Sequence, residues 1–176
     1  MKYTQIHSKR PTDINQHLVP LYNMVLEMKA KTVIELGVRS GESTVALLEG
    51  VHQTEGHLWS VDVDPCLMTQ EMVKVYGMLP RWRFVQGDDI EFAAKWDKAV
   101  PVDIVFVDTS HQYEHTKKEI VAFEPLVRPG GRLIFHDTTT HAHGVLDPIN
   151  EFLKEHPNYA FRNYPHNSGL GVVLKP

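Results

Sequence analysis

The chain has 176 residues, 42% hydrophobic and 23% charged, with a formal net charge of -4. That length and apolar content suit a single domain over residues 1–176 with a substantial core, and no low-complexity run divides it. An acidic balance with no Lys/Arg cluster argues against a nucleic-acid groove, no apolar run approaches the ~20 residues of a membrane helix, and Met1 to Gln5 lacks the apolar core of a signal peptide.

Apolar residues at Ile14, Leu18, Leu21, Val25 and Met28 mark a helical face within the N-terminal residues 1–30, where Pro20 is expected to divide two short helices. Strands are expected at Thr32 to Leu36, Leu58 to Val63, Arg83 to Val85, Val102 to Val107 and Arg132 to Phe135, alternating with helices such as Glu114 to Val127. Pro129-Gly130-Gly131 reads as the turn that ends that helix and feeds the fifth strand. Tyr159 to Arg162 and Gly169 to Leu174 have no helix between them and read as a hairpin, with Gly169 to Leu174 inserted beside the strand that ends at His136. The alternation predicts an α/β fold, a Rossmann-like doubly wound sheet that is mostly parallel and closes on an antiparallel C-terminal hairpin strand.

The segment Val33-Ile-Glu-Leu-Gly-Val-Arg-Ser-Gly-Glu-Ser-Thr44 carries the first chemical signal: an apolar strand, a glycine-punctuated turn and a helix start. Glycines at 37 and 41 let the chain turn and begin a helix close to a ligand, and the free amides of that first turn favour a carboxylate or phosphate. The dinucleotide fingerprint needs glycines at 37, 39 and 42, but the chain has Gly37, Arg39 and Glu42, so the nicotinamide reading fails. The remaining pattern, Glu35, Gly37, Gly41 and Ser43 as E-x-G-x-x-x-G-x-S, resembles motif I of the class I S-adenosylmethionine (SAM) methyltransferases. It looks most like the branch with catechol O-methyltransferase, macrolide-sugar O-methyltransferases and cephalosporin-hydroxylase-like proteins, which often lack the middle glycine. Together with the hairpin-terminated sheet, the resemblance covers roughly residues 30 to 175.

In open α/β sheets a ligand sits beyond the carboxyl ends of the strands, and here each of those ends delivers an acid: Glu35, Asp62, Asp88-Asp89, Asp108 and Asp137. The resemblance implies that Asp62 accepts hydrogen bonds from a ribose diol, that Asp88 accepts from the adenine amino group, and that the Asp89 amide meets a ring nitrogen. Asp88-Asp89 also reads as a solvated turn or helix N-cap, and Asp64 reads as a cap ahead of Pro65. Ser43 either donates to the methionine carboxylate or is an ordinary first-turn serine; Arg39 either reaches that carboxylate or faces water.

A second signal is Asp108, at the tip of a buried strand, with His111 three residues later. By resemblance Asp108 is a metal ligand and His111 the general base, taking a proton from an acceptor hydroxyl; the alternative is that His111 caps the helix starting near Tyr113. Asp137 matches a second metal ligand. Thr138 stands where those enzymes carry asparagine or an acid, and a threonine binds magnesium or another divalent cation more weakly. The His136-Asp137-Thr138 and Gly144-Val145 stretch is closer to glycan-linked and cephalosporin-hydroxylase-like relatives, and His111, His136, His141 and His143 form an alternative set for a transition metal.

The expected activity is SAM-dependent methylation of a hydroxyl on a small molecule, a sugar or other metabolite. Rival readings are another reaction on the same fold, hydroxylase-like or aminopropyl transfer, and a SAM-binding module without catalysis. The short chain leaves little material for a substrate lid, which suggests a homo-oligomer that closes the site. A lone cysteine, Cys66, fits a cytoplasmic setting.

Overall fold

The computed structural model describes residues 1–176. Its elements run α1 (Lys2–His7), α2 (Leu18–Glu27), β1 (Thr32–Leu36), α3 (Glu42–Thr54), β2 (His57–Asp62), α4 (Leu67–Val75), β3 (Trp82–Gln86), α5 (Asp89–Lys95), β4 (Val102–Val107), α6 (Tyr113–Phe123), β5 (Val127–His136), α7 (Ala142–Glu155), β6 (Ala160–Tyr164) and β7 (Leu170–Leu174). The seven strands form one sheet in the order β3-β2-β1-β4-β5-β7-β6. β1 to β5 pair in parallel, whereas β7 pairs antiparallel with both β5 and β6, so the expected hairpin strand does lie beside β5.

The central strands are buried along their whole length because helices cover both faces. Alternate residues therefore feed two separate cores. Val33, Ile104, Phe106 and Ile134 pack with Leu18, Leu21, Val25 and Leu47 of α2 and α3, while Ile34, Val105, Val107, Leu133 and Phe135 pack with Ile120, Phe123 and Ile149 of α6 and α7. Since α2 contributes to the same core as the sheet, the N-terminal residues are integral to the fold. No helix is long and apolar enough to cross a membrane.

Three local expectations are corrected. Pro20 does not divide the N-terminal helix: it is the third residue of α2, within the first turn, where a missing N–H breaks no internal bond, and the break falls ahead of it at a 3₁₀ turn, Asn15–His17. The helix expected to reach Val127 stops at Phe123, because Pro125 starts a 3₁₀ turn over Glu124–Leu126. Val127 opens β5 instead, and Pro129-Gly130-Gly131 lies inside that strand, where the register against β4 shifts between the pairs at Val102 and Ile104.

Candidate active site

The turn after β1 is shaped by what lies beneath it. Gly37 has φ +84°, and a Cβ there would sit 2.0 Å from the carbonyl oxygen of Asp108, so only glycine lets the first and fourth strands end this close together. Gly41, at φ +83°, is the N-cap of α3 and offers no side-chain cap, which leaves the first-turn amides of a 13-residue helix available to an anion. Behind the turn, the fully buried Glu35 carboxylate accepts hydrogen bonds from Ser43 (2.7 Å), Thr44 (2.9 Å) and Ser60 (2.6 Å). Burial pushes its pKa up to about 7 against those hydroxyl donors. The Ser43 hydroxyl is therefore spent on Glu35, and the pair braces β1, β2 and α3 from inside.

In front of the turn a cleft of about 530 Å³ brings together Gly37, Arg39, Asp62, Asp88, Asp89, Asp108 and His111, with Thr109, Gln112 and His115 completing the wall. The Asp62 carboxylate accepts from the backbone N–H groups of Val38 (2.7 Å), Arg39 (3.2 Å) and Asp64 (2.9 Å). Burial alone would raise its pKa, but these donors hold it below the usual carboxylate range. The group stays charged, and with three of its roughly four lone-pair sites taken by these amides it can still accept from one hydroxyl of a ligand diol. Asp64 is not a cap: α4 starts at Leu67, with Cys66 at the N-cap in a left-handed conformation. Asp88 is the N-cap of α5, one oxygen accepting from the Glu91 amide at 2.8 Å and the other left for the cleft. Arg39 pairs its guanidinium with Asp13, a fork of 2.8 and 3.0 Å, while the side chain stays largely exposed to solvent.

Where β4 and β5 end side by side, two acids and two histidines converge. His111 Nε2 lies 3.1 Å from Asp108 Oδ1 and 3.0 Å from Asp137 Oδ2. His136 Nδ1 lies 3.3 and 3.1 Å from the same two oxygens, and its Nε2 is 3.2 Å from the carbonyl oxygen of Asp13. His111 does not cap α6, whose N-cap is Gln112. It sits at φ +54°, its ring stacked on His141 at 4.7 Å between centroids. Hydrogen bonds to Asp108 and Asp137 raise the pKa of His111 to about 9. Burial works against His136, yet the same pair of acids raises it to about 10. Both carboxyls are correspondingly depressed, the histidine contacts outweighing their burial.

The remaining expected ligands lie elsewhere. Thr138 is fully buried and donates its hydroxyl to Asn163 Oδ1 at 2.7 Å, because β6 packs against it, so it is turned away from the acids. His143 is on the exposed face of α7, bonded to Asp147 at 2.9 Å. Sequence reasoning missed Asp13, His115 and Glu119. Nothing local marks Asp13, which arrives through folding, but the one-turn spacing of His115 and Glu119 on a helix was a readable signal.

A glycine turn over a helix start, an acid after each parallel strand and a sheet closed by an antiparallel strand define a class I nucleotide-type methyl-transfer fold. A family model described as "Methyltransferase domain" matches residues 34–138. The chain belongs to that family. The SAH-bound methyltransferase of Podospora anserina superposes with a TM-score of 0.79 at 16% identity, over 99% of this chain and 85% of that one, a likeness of fold. The tRNA (guanine-N(7)-)-methyltransferase of Corynebacterium efficiens is 28% identical over 146 residues, covering 77% of this chain and 56% of that protein, so the chain spans little more than half the length of that relative. An O-methyltransferase of Aspergillus thermomutatus, ankF, is 24% identical over 164 residues, covering 85% of this chain and 68% of that protein.

Proposed function

We propose that the chain, acting as one domain over residues 1–176, moves the methyl group of SAM to a hydroxyl of a small acceptor such as a sugar or other metabolite. The observation that carries this reading is His111 Nε2 held between Asp108 and Asp137, 3.1 and 3.0 Å away, on the wall of the cleft. The cleft suits the cofactor: the uncapped start of α3 offers first-turn amides to a carboxylate, Asp62 keeps a charged acceptor for a hydroxyl of a diol, and Asp88 and Asp89 line the other end.

SAM supplies an electrophilic methyl, so the protein's task is to align the acceptor oxygen and remove its proton. His111 takes that proton once it is neutral, and Asp108 and Asp137 stabilise the imidazolium that results. His141, stacked on the ring, and the backbone of α7 beneath it fix its orientation. As its pKa stands at about 9, the base form grows as pH rises. Asp108, Asp137 and His136 present donor atoms within 4.8 Å of one another and suit magnesium or manganese once His136, which the two acids keep protonated, gives up its Nδ1 proton, with Thr138 outside the set because its hydroxyl is on Asn163. A cation held there would lower the pKa of an acceptor hydroxyl.

The net charge of -4 supports a small acceptor over RNA. Incubation with methyl-labelled SAM against hydroxylated small molecules and against tRNA tests the reading. Label in an ether of a small acceptor is expected, and label found only in tRNA bases would overturn it.

A further inference from the structure

A second cluster lies at the Asp88 end of the cleft, where α5 meets α6. Asp89 opens α5, while His115 and Glu119 stand one turn apart on α6. His115 Nε2 is 3.0 Å from Asp89 Oδ2 and 3.6 Å from Glu119 Oε1, and the latter oxygen also accepts from the Thr109 hydroxyl at 2.6 Å. The other Glu119 oxygen, Oε2, has no hydrogen-bond partner although the residue is only 1% exposed. The Glu119 carboxyl lies within hydrogen-bonding reach of the Asp89 carboxyl, itself 7% exposed.

Two buried carboxyls that face one another need either a shared proton, toward which burial and Asp89 push Glu119 by raising its pKa to about 9, or a cation between them. Leaving a buried carboxylate oxygen unpaired costs ~1–3 kcal/mol or more, and facing acids repel. His115 has one proton to give at Nε2 and places it nearer to Asp89, so it does not serve Glu119 Oε2. The Thr109 hydroxyl reaches only Oε1. A cation satisfies all three side chains at once, since Asp89, His115 and Glu119 each offer a donor atom within 4.8 Å of the others.

We infer that Asp89, His115 and Glu119 form a second divalent-cation site, separate from the Asp108 and Asp137 pair, which clamps α5 to α6 beside the cofactor cleft. One imidazole with two carboxylates is the donor set of zinc, manganese or ferrous iron rather than calcium, which takes ~6–8 oxygens. His115 is the partly exposed member, lining the cleft, and gives an ion its way in. Three protein ligands leave a coordination position for water, and the ion would fix the start of α5, where Asp88 and Asp89 meet the ligand.

Zinc alone is the probe, in equilibrium dialysis and thermal unfolding of the full chain, with cobalt absorption to report the coordination. An Asp108→Asn/Asp137→Asn variant removes the other acid pair. It should still bind one equivalent of zinc and gain thermal stability from it. Adding Glu119→Gln should weaken zinc binding at least tenfold and abolish that gain. His115→Ala, at a partly exposed position, gives the same readout if the glutamine variant folds poorly. If the Asp108→Asn/Asp137→Asn variant binds no zinc and Glu119→Gln unfolds like the parent, a shared proton joins the two carboxyls and the site does not exist. Because the two sites are removed by different substitutions, this result does not depend on the assignment of the methyl-transfer residues.

Discussion

Gly144, in the first turn of α7, lies so close to the loop after β4 that a Cβ on it would sit 1.8 Å from the carbonyl oxygen of His111. The contact ties the backbone of α7 to the backbone of the histidine between the acids. Alanine at a helical glycine ordinarily gains ~0.5–1 kcal/mol, but here the obstacle is a backbone oxygen that cannot rotate away, and overpacking costs ~1–3 kcal/mol. Gly144→Ala should therefore lower the melting temperature and reduce turnover while SAM affinity, measured by calorimetry, is kept. A variant with a raised melting temperature and full activity would show that the loop yields freely.

Asp62→Asn keeps the size of the side chain while removing its charge. It should weaken SAM binding by ~1.5–3 kcal/mol in calorimetry, the range for a hydrogen bond to a charged group. The same substitution perturbs the turn, since Asp62 also accepts from Val38 and Arg39. A matched measurement of thermal stability separates the two effects, and unchanged affinity would remove Asp62 from the ribose role.

His111→Ala should lower turnover by ~10²-fold or more with SAM binding intact. Chelation should suppress turnover, with magnesium or manganese restoring it. Chelator-insensitive methylation would keep the histidine base and eliminate the cation on Asp108 and Asp137.

The paired histidines also set a pH dependence of stability. Their folded pKa values, about 9 for His111 and about 10 for His136, exceed the ordinary 6.5, so the contribution is fully present below about pH 6.5 and is lost as pH rises through the folded values. Asp108 and Asp137 are depressed below 3.8, so the same cluster weakens again in acid, below about pH 4. Thermal melts of the metal-free protein should show a plateau between these limits and an alkaline decline that Asp137→Asn flattens. An alkaline limb identical in the variant would detach the cluster from stability.

Glu35 supplies a test of the brace behind the cleft. Glu35→Leu leaves the hydroxyls of Ser43, Thr44 and Ser60 buried without their acceptor. At ~1–3 kcal/mol for each orphaned group, denaturant unfolding should show a loss of at least ~3 kcal/mol, and Glu35→Gln, which keeps an acceptor oxygen, should lose much less.

The sheet was readable in the sequence because a parallel strand covered on both faces leaves a short apolar run, and each of the five parallel runs ends in an acid or a glycine turn. The hairpin was equally plain, since no helix fits between Tyr159 and Leu174. Helix ends were less legible: Pro125 and Pro129 both interrupt the pattern, and only the pairing of Val127 with Val102 across the sheet decides that the strand begins before the Pro-Gly-Gly stretch. Residue types and spacing marked Asp62, Asp88, Asp108, His111 and Asp137 because they stand at strand ends, positions fixed by local periodicity. What each side chain faces is a long-range matter. Ser43 turns to Glu35, Thr138 to Asn163 and Arg39 to Asp13, partners 8, 25 and 26 residues away, and a carboxylate or hydroxyl bonds whichever donor or acceptor the packed chain brings to it. The sequence alone thus determined the fold, the class and the acids at the strand ends. Only the tertiary structure decided which of those groups face the cleft, and that Asp108, His111, His136 and Asp137 neutralise one another where two strands finish side by side.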